Sequence, residues 1–346
     1  MGVTENKTVV LASGVKIFYR EQNQVPNSPI ILLLHGFPSS SHQYRNLIPL
    51  LGAKYRVVAP DLPGFGFTET PSTFNYTFDN LATTMAEFLD KLSITKFSMY
   101  IFDYGAPTGL RLALQRPDSI QAIISQNGNA YTEGFGDVWG PIQDLWASNN
   151  APENRAKVAQ AMLTLEMTKF QYENGSPDIS RIAPESYYLD YALMERPGNK
   201  EVQLDLFMDY QNNVALYEDF HAYFRKSSVP LLAIWGKNDV FFIPPGAEAF
   251  KKDLPHADVK LIDAGHFAIV RIVFNDVGID ISFESLGHIF FAVQNFDEVR
   301  EYLFLDALVD FAAWTICCRR IKRKVLAVGR VECGVDDVSG NFRTSF

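Results

Sequence analysis

The stretch YIFDYGAP, residues 100–107, places a single carboxylate, Asp103, at the end of an apolar strand and directly before a helix. Such a tight strand-to-helix turn requires a residue without a Cβ where the chains approach, and Gly105 supplies it. The turn projects the side chain at its apex outward, and the N-terminus of the following helix favours an ionised carboxylate. Asp103 is therefore predicted to be a nucleophile or a simple helix cap, and this stretch alone supports both roles equally.

The stretch ILLLHGFP, residues 31–38, is another buried strand that runs into a glycine turn. The backbone N–H groups of Phe37 and Tyr104 are predicted to point at one place, where two such donors form an oxyanion hole. We assign His35 to packing and hydrogen bonding, because a lone histidine of this kind is more often structural than a proton carrier.

Two downstream stretches supply an acid and a base. WGKND, residues 235–239, places Asp239 after one strand, and LIDAGHF, residues 261–267, places His266 after the last strand. The chain order nucleophile, acid, base at strand ends is that of an α/β-hydrolase triad. The sequence thus predicts Asp103, Asp239 and His266 as catalytic residues, whereas Asp263 is interpreted as a turn residue.

Together these stretches resemble the Asp-nucleophile branch of the α/β-hydrolase fold, which holds epoxide hydrolases and haloalkane dehalogenases. The matching pieces are HGFP (35–38), DLPGFG (61–66), DYG (103–105), GKND (236–239) and GHF (265–267). The resemblance implies a mostly parallel eight-stranded sheet flanked by helices, with an inserted helical lid. Relatives sometimes take the acid from the strand end before the lid, but residues 125–129, SQNGN, hold no carboxylate, which leaves Asp239.

The resemblance also implies a mechanism. An Asp103 carboxylate displaces a leaving group at a saturated carbon without prior deprotonation and forms an alkyl-enzyme ester. His266, oriented by Asp239, then activates the water that hydrolyses this ester, and the Phe37 and Tyr104 amides hold the oxyanion. No cofactor and no metal is implied, and neither a metal-ligand spacing nor a phosphate-binding glycine loop is found in the sequence.

Short apolar runs alternate with amphipathic segments, which is typical of parallel strands joined by helices. Strands are predicted at 8–19 (a hairpin), 30–34, 56–59, 97–102, 122–125, 231–235 and 259–262, and helices at 78–92, 107–115, 245–253 and 297–311. The stretch before residue 231 is rich in Trp, Tyr, Asn and Pro and indicates short helices. We therefore predict a core of residues 1–131 and 226–312 with a helical cap at 132–225.

Two segments fit neither part. In related chains the last helix, here predicted to begin near residue 293, follows the base almost directly, but residues 269–292 intervene. We interpret 269–292 as an intron translated in frame or as an authentic insertion, and 313–346 as an atypical C-terminal tail. Because the last helix normally pins the loop that carries His266, an insertion there is expected to displace the base and lower activity.

The composition narrows the class of protein. A formal net charge of -9 argues against a nucleic-acid surface, and the one dense basic run, residues 319–324, is interpreted as a solvated tail. The first residues indicate neither a secretory signal nor a membrane anchor. All three cysteines lie in the tail, which excludes a disulfide framework in the core. We expect a cytoplasmic enzyme that acts on a small molecule, and the sequence does not indicate its oligomeric state.

Departures from the family pattern bear on the substrate. Dehalogenases of this group usually carry Trp after the nucleophile and often a polar residue after the oxyanion His-Gly, whereas this chain has Tyr104 and Phe37. A halide would then need a lid donor such as Trp139 or Trp146.

Epoxide hydrolases commonly show the His-Gly-x-Pro form found at residues 35–38 and use lid tyrosines to hold the epoxide oxygen. Most lid tyrosines nevertheless only pack. Lid tyrosines are available at six positions: Tyr172, Tyr187, Tyr188, Tyr191, Tyr210 and Tyr217. We predict substrate contacts from five lid residues: Trp139, Trp146, Tyr187, Tyr188 and Tyr191. The sequence favours an epoxide or a related electrophile, with haloalkane dehalogenase, esterase or lactonase, and non-catalytic binding protein as alternatives.

Overall fold

The computed structural model describes residues 3–23 and 27–271. Eight strands form one sheet in the order β1-β2-β4-β3-β5-β6-β7-β8. Their bounds are Glu5–Val10, Lys16–Gln22, Ile30–Leu34, Arg56–Pro60, Phe97–Phe102, Ile120–Gln126, Leu231–Gly236 and Asp258–Ile262 for β1 to β8. β2 pairs antiparallel with β1 and β4, and the other pairs are parallel. The predicted mostly parallel, eight-stranded α/β-hydrolase sheet is confirmed.

The central strands are buried along their length, as their apolar sequences predict. Every residue of β5 and of β7 is buried, because helices cover both faces of the parallel part of the sheet. Strand bounds agree with the predictions to within a few residues. The exception among the helices is the segment predicted at 245–253, where the α-helix Pro245–Ala249 gives way to a 3₁₀ turn over Phe250–Lys252.

Three helices support the first half of the sheet: α1 (Leu47–Leu51), α2 (Phe78–Lys91) and α3 (Gly105–Gln115). α2 is preceded by an extended Thr77, whose side chain accepts the N–H of Asn80 and so caps the helix. Its buried residues recur at helical spacing, and α2 packs against α3 on one face of the sheet.

Between β6 and β7 the chain forms seven α-helices and three 3₁₀ helices, which together we call the inserted helices. The α-helices are α4 (Gly140–Ala147), α5 (Pro152–Met162), α6 (Leu165–Glu173), α7 (Pro184–Met194), α8 (Asn199–Asp209), α9 (Gln211–Val214) and α10 (Tyr217–Ser227), and the 3₁₀ helices are Thr132–Gly134, Asp137–Trp139 and Ile179–Arg181. The predicted helical texture of this stretch is therefore correct. The inserted helices contact the loops after β3 and β8, since Phe207 packs on Phe37 and Tyr172 stacks on Phe267.

After β7 come α11 (Pro245–Ala249), β8 and the short α12 (Ala268–Arg271). The structure describes only residues 269–271 of the predicted insertion at 269–292. The rest of that insertion, the predicted last helix and the predicted tail at 313–346 lie outside the described residues. Within the described residues, no helix is long and apolar enough to cross a membrane.

Candidate active site

Asp103 lies in the turn between β5 and α3 with a φ of 46°, in the left-handed region that a non-glycine residue rarely adopts. The turn lies close to β3, and glycine at position 105 permits this approach, because a Cβ there would lie 2.1 Å from the carbonyl oxygen of Leu34. The carboxylate is only 6% exposed. Strained backbone of this kind persists where the surrounding structure enforces it, and here it presents one buried carboxylate at the carboxyl edge of the sheet.

Two backbone donors hold this carboxylate. The N–H of Phe37 donates to Asp103 Oδ1 at 2.6 Å, and the N–H of Tyr104 donates to the same carboxylate. Burial raises the pKa of Asp103 to about 6, although the charge of His266 and the two N–H groups oppose the rise. The two amides therefore converge on the Asp103 carboxylate.

His266 lies between two carboxylates. Its Nδ1 is 2.9 Å from Asp239 Oδ2, and its Nε2 is 3.9 Å from Asp103 Oδ2. Burial lowers the pKa of His266, but the charge and hydrogen bond of Asp239 and the charge of Asp103 outweigh it, so the pKa is raised. Nδ1–H thus donates to Asp239, and Nε2 faces Asp103 across a gap wider than a hydrogen bond.

Asp239 is itself held by further donors. Its Oδ1 accepts the N–H of Phe241 at 2.8 Å, and its Oδ2 accepts Asn127 Nδ2 at 2.6 Å. Asn127 follows β6 with a φ of 48° and also accepts the N–H of Gly236 at 3.2 Å. Gln126 Nε2 donates to the backbone oxygen of His266 at 3.0 Å. These amides tie the acid and the base to the end of β6.

Sequence reasoning missed the part played by Asn127 and Gln126, because it searched that strand end only for a carboxylate. The available signal was the pair of amide side chains at the carboxyl end of a buried parallel strand, next to the strand that carries Asp239. His35 has the local role predicted for it. Its Nε2 accepts the N–H of Leu62 at 2.9 Å, its Nδ1 lies 3.1 Å from the oxygen of Gly36, and burial lowers its pKa to about 4.

A small cavity lies over the carboxylate and the imidazole. The sheet side contributes polar groups, and the inserted helices contribute mainly apolar ones. The lining residues are Phe37, Asp103, Tyr104, Val138, Trp139, Ile142, Met162, Gln171, Phe207, Phe241 and His266. An apolar chamber with a few convergent polar groups suits a small, weakly polar molecule. Gln171, Met162 and Phe207 were not predicted, since a single residue on a short helix carries no sequence signal for facing a cavity.

The two predicted tryptophans differ in position. Trp139 lines the cavity, but its indole N–H donates to the backbone oxygen of Phe241 at 3.1 Å. Trp146 lies behind Trp139, lines a separate groove, and donates its N–H to the backbone oxygen of Phe207 at 2.7 Å. Each indole N–H is therefore already bonded to a backbone oxygen of the protein.

The three predicted tyrosines do not line the cavity. Tyr187 is buried in a cluster with Tyr172 and Phe267, Tyr188 is 56% exposed, and Tyr191 is half-buried with Lys200 over its ring. All three belong to α7, no residue of which lines the cavity. The structure thus brings together Asp103, Asp239, His266, Phe37, Tyr104 and Trp139, but not these three.

Residues 3–23 and 27–271 contain no cluster of three or more His, Cys, Asp or Glu side chains that could hold a metal ion. Asp263 lies at the surface and pairs with Lys237 and Asn238.

Comparisons with known proteins agree with this architecture. A family model described as "alpha/beta hydrolase fold" matches residues 29–270. An uncharacterized hydrolase of Saccharomyces cerevisiae is 48% identical over 263 residues, which cover 75% of this chain and 90% of that protein. A haloalkane dehalogenase of Psychrobacter cryohalolentis is 37% identical over 117 residues, which cover 33% of this chain and 38% of that protein.

Solved structures show the same fold. Haloalkane dehalogenase DbeA from Bradyrhizobium elkani superposes with a TM-score of 0.63 at 22% identity and covers 84% of this chain and 99% of its own. The epoxide hydrolase VrEH1 from Vigna radiata superposes with a TM-score of 0.62 at 22% identity and covers 83% of this chain and 100% of its own.

Proposed function

The chain belongs to the α/β-hydrolase fold family and is a hydrolase, and from its site we propose that it opens small organic epoxides through an ester on Asp103. The observation that carries this proposal is the environment of that carboxylate. Oδ1 accepts the N–H of Phe37, the N–H of Tyr104 donates to the same carboxylate, and Oδ2 faces His266 Nε2 at 3.9 Å beside the cavity. A helix cap does not require a donor from another loop, so the Phe37 contact favours the nucleophile over the cap.

The first step uses the carboxylate directly. Asp103 Oδ2 attacks a carbon of the epoxide, the bond between that carbon and the epoxide oxygen breaks, and the oxygen leaves as an alkoxide that takes up a proton. The product of this step is an ester between Asp103 and a hydroxyalkyl group. No base is needed, because a carboxylate with a pKa of about 6 is ionised at neutral pH.

The second step uses His266. Nε2 takes a proton from water, and the hydroxide attacks the carbonyl carbon of the ester, which places negative charge on Oδ1. The N–H of Phe37 already contacts Oδ1, and the N–H of Tyr104 already contacts the same carboxylate. Both donors therefore stabilise this oxyanion without rearrangement. Asp239 stabilises the imidazolium. Collapse of the intermediate breaks the bond to the alkoxy oxygen, which takes the proton held by His266, and Asp103 returns a proton to water, so that epoxide plus water gives a diol overall.

The inserted helices are proposed to act as the lid of this reaction. They supply most of the apolar cavity wall, and Phe207 of α8 packs edge-on against Phe37, with ring centroids 5.0 Å apart. A closed apolar chamber limits the water that reaches the nucleophile before the substrate does.

Haloalkane dehalogenation is the second candidate, because the Psychrobacter cryohalolentis relative bears that name. A departing halide needs N–H donors, and the indole N–H groups of Trp139 and Trp146 do not supply them, since both donate to backbone oxygens. The His-Gly-x-Pro form at residues 35–38, which epoxide hydrolases commonly show, favours the epoxide.

The test is His266→Gln, which blocks hydrolysis of the ester and leaves the nucleophile in place. We expect incubation with a small epoxide to add the whole mass of the epoxide to the protein, on the peptide that contains Asp103. A haloalkane would instead add its alkyl group without the halogen, which would favour the second candidate. As a matched control, replacement of the exposed His256 with Gln should leave turnover unchanged and accumulate no adduct.

Two outcomes would contradict an ester intermediate on Asp103. If the wild type turns over epoxides, haloalkanes or esters but His266→Gln accumulates no adduct with any of them, Asp103 acts as a base for water and the proposal is wrong. If the wild type turns over none of them, the site is a binding site rather than a catalytic one.

A further inference from the structure

Gln171 is a polar residue of the cavity to which the mechanism above gives no role. Its side chain is 2% exposed, and its Nε2 has no hydrogen-bond partner among the described residues. A buried amide N–H without a partner is costly, because it has lost its bonds to water and gained none in return. Such a group is explained when a bound molecule supplies the acceptor.

The backbone that carries Gln171 is held firmly. It belongs to α6, whose first turn is capped by Thr164 through the N–H of Met167. The next residue, Tyr172, stacks on Phe267 with ring centroids 3.9 Å apart and donates its hydroxyl to Asp190 at 2.5 Å. α6 is thus fastened beside the loop that carries the base, so the Gln171 amide occupies a defined place in the cavity wall.

The cavity has two sides. Asp103 and His266 come from the carboxyl edge of the sheet, and Gln171 comes from the inserted helices. A molecule between them meets the carboxylate on one side and the amide on the other. Trp139 comes from the same set of helices, but its N–H is already used by Phe241.

We propose that Gln171 is a positioning residue for the first step: its Nε2–H donates a hydrogen bond to the epoxide oxygen and keeps it as that oxygen gains negative charge. This inference rests on the proposed function and names the feature of the substrate that the site selects, an acceptor oxygen on the reacting carbon. An amide supplies no proton, so Gln171 orients and stabilises the oxygen while water supplies the proton overall.

The proposal predicts different effects of Gln171 on the rates of ester formation and ester hydrolysis. The bond to the epoxide oxygen is broken before the ester is hydrolysed, and hydrolysis depends on His266 and the two backbone amides. Gln171→Met keeps the length of the side chain and removes the amide. We expect the single-turnover rate of ester formation to fall by about 100-fold, the usual effect of losing one donor to a developing oxyanion. The rate of ester hydrolysis should change by less than about threefold.

Gln203→Met is the matched control. Gln203 is also 2% exposed and lies on an inserted helix, but its Nε2 donates to the backbone oxygen of Gly64 and it does not line this cavity. It should form the ester at the wild-type rate. Tyr104→Phe is the competing variant, because the Tyr104 hydroxyl is the other buried donor without a partner among the described residues that line the cavity.

Three results would overturn the inference: ester formation at the wild-type rate in Gln171→Met, equal slowing of both steps, or loss of ester formation in Tyr104→Phe alone. Equal slowing would show that Gln171 acts through the structure of the lid. Failure of the proposed function is distinguishable, since His266→Gln with Gln171 intact would then form no adduct at all.

Discussion

Replacing Gly36 with alanine should nearly abolish ester formation while leaving the protein folded. A Cβ on Gly36 would lie 2.3 Å from Asp103 Oδ1 and 2.4 Å from Asp103 Cβ, whereas ordinary contacts begin near 3.4 Å. The nucleophile or the loop after β3 therefore has to move by about 1 Å, and a displacement of this size costs about 100-fold in rate. Overpacking costs about 1–3 kcal/mol, which is less than the roughly 5–15 kcal/mol that stabilises a typical domain.

The assay is the single-turnover rate of ester formation, measured by rapid quenching and intact mass, with circular dichroism to check folding. Gly140→Ala is the matched control, because a Cβ at Gly140 meets no atom within 4 Å. We expect this control to form the ester within about threefold of the wild-type rate. The reasoning is refuted if folded Gly36→Ala forms the ester at nearly the wild-type rate, or if both variants slow alike.

Two further predictions concern pH. Because burial raises the pKa of Asp103 to about 6, the single-turnover rate of ester formation should fall about tenfold per pH unit well below pH 6; a rate that stays level down to pH 4 would contradict this. Burial raises the pKa of Asp190 to about 7, against hydrogen bonds from Tyr172 and Ser39 that lower it. Between about pH 4, where the carboxyl titrates in the unfolded chain, and about pH 7, the folded protein holds a proton on Asp190 that the unfolded chain has lost. The contribution of Asp190 to the free energy of unfolding therefore decreases as the pH rises through this window. As the pH rises from about 4 to about 7, Asp190→Asn should therefore gain stability relative to the wild type in denaturant titrations, and a pH-independent difference would show that Asp190 is not the group responsible.

The sheet was predictable because its parallel strands are buried on both faces and therefore appear as short apolar runs between turns. The positions of Asp103, Asp239 and His266 at strand ends were predictable for the same reason, since the carboxyl ends of neighbouring parallel strands meet at one edge. The structure confirms the sheet, and it brings these three side chains together.

The lid was predictable only as a set of helices. Each inserted helix is short, and which of its faces meets the cavity depends on how it packs against other helices and against loops distant in the chain. Tyr188 and Gln171 therefore could not be ranked from the sequence, although one is exposed and the other lines the cavity. The amide side chains of Asn127 and Gln126 were visible in the sequence, but the groups they bond, Asp239 and the backbone of His266, were decided by the tertiary structure.

The amino-acid sequence by itself determined the α/β architecture and the chemical identity of the groups at the strand ends, because both follow from local residue patterns. Only the tertiary structure decided which side chains of the inserted helices face Asp103 and which donors are already used by the protein's own carbonyls. Those outcomes depend on contacts between residues more than a hundred positions apart, such as Trp139 with Phe241, and no local pattern encodes them.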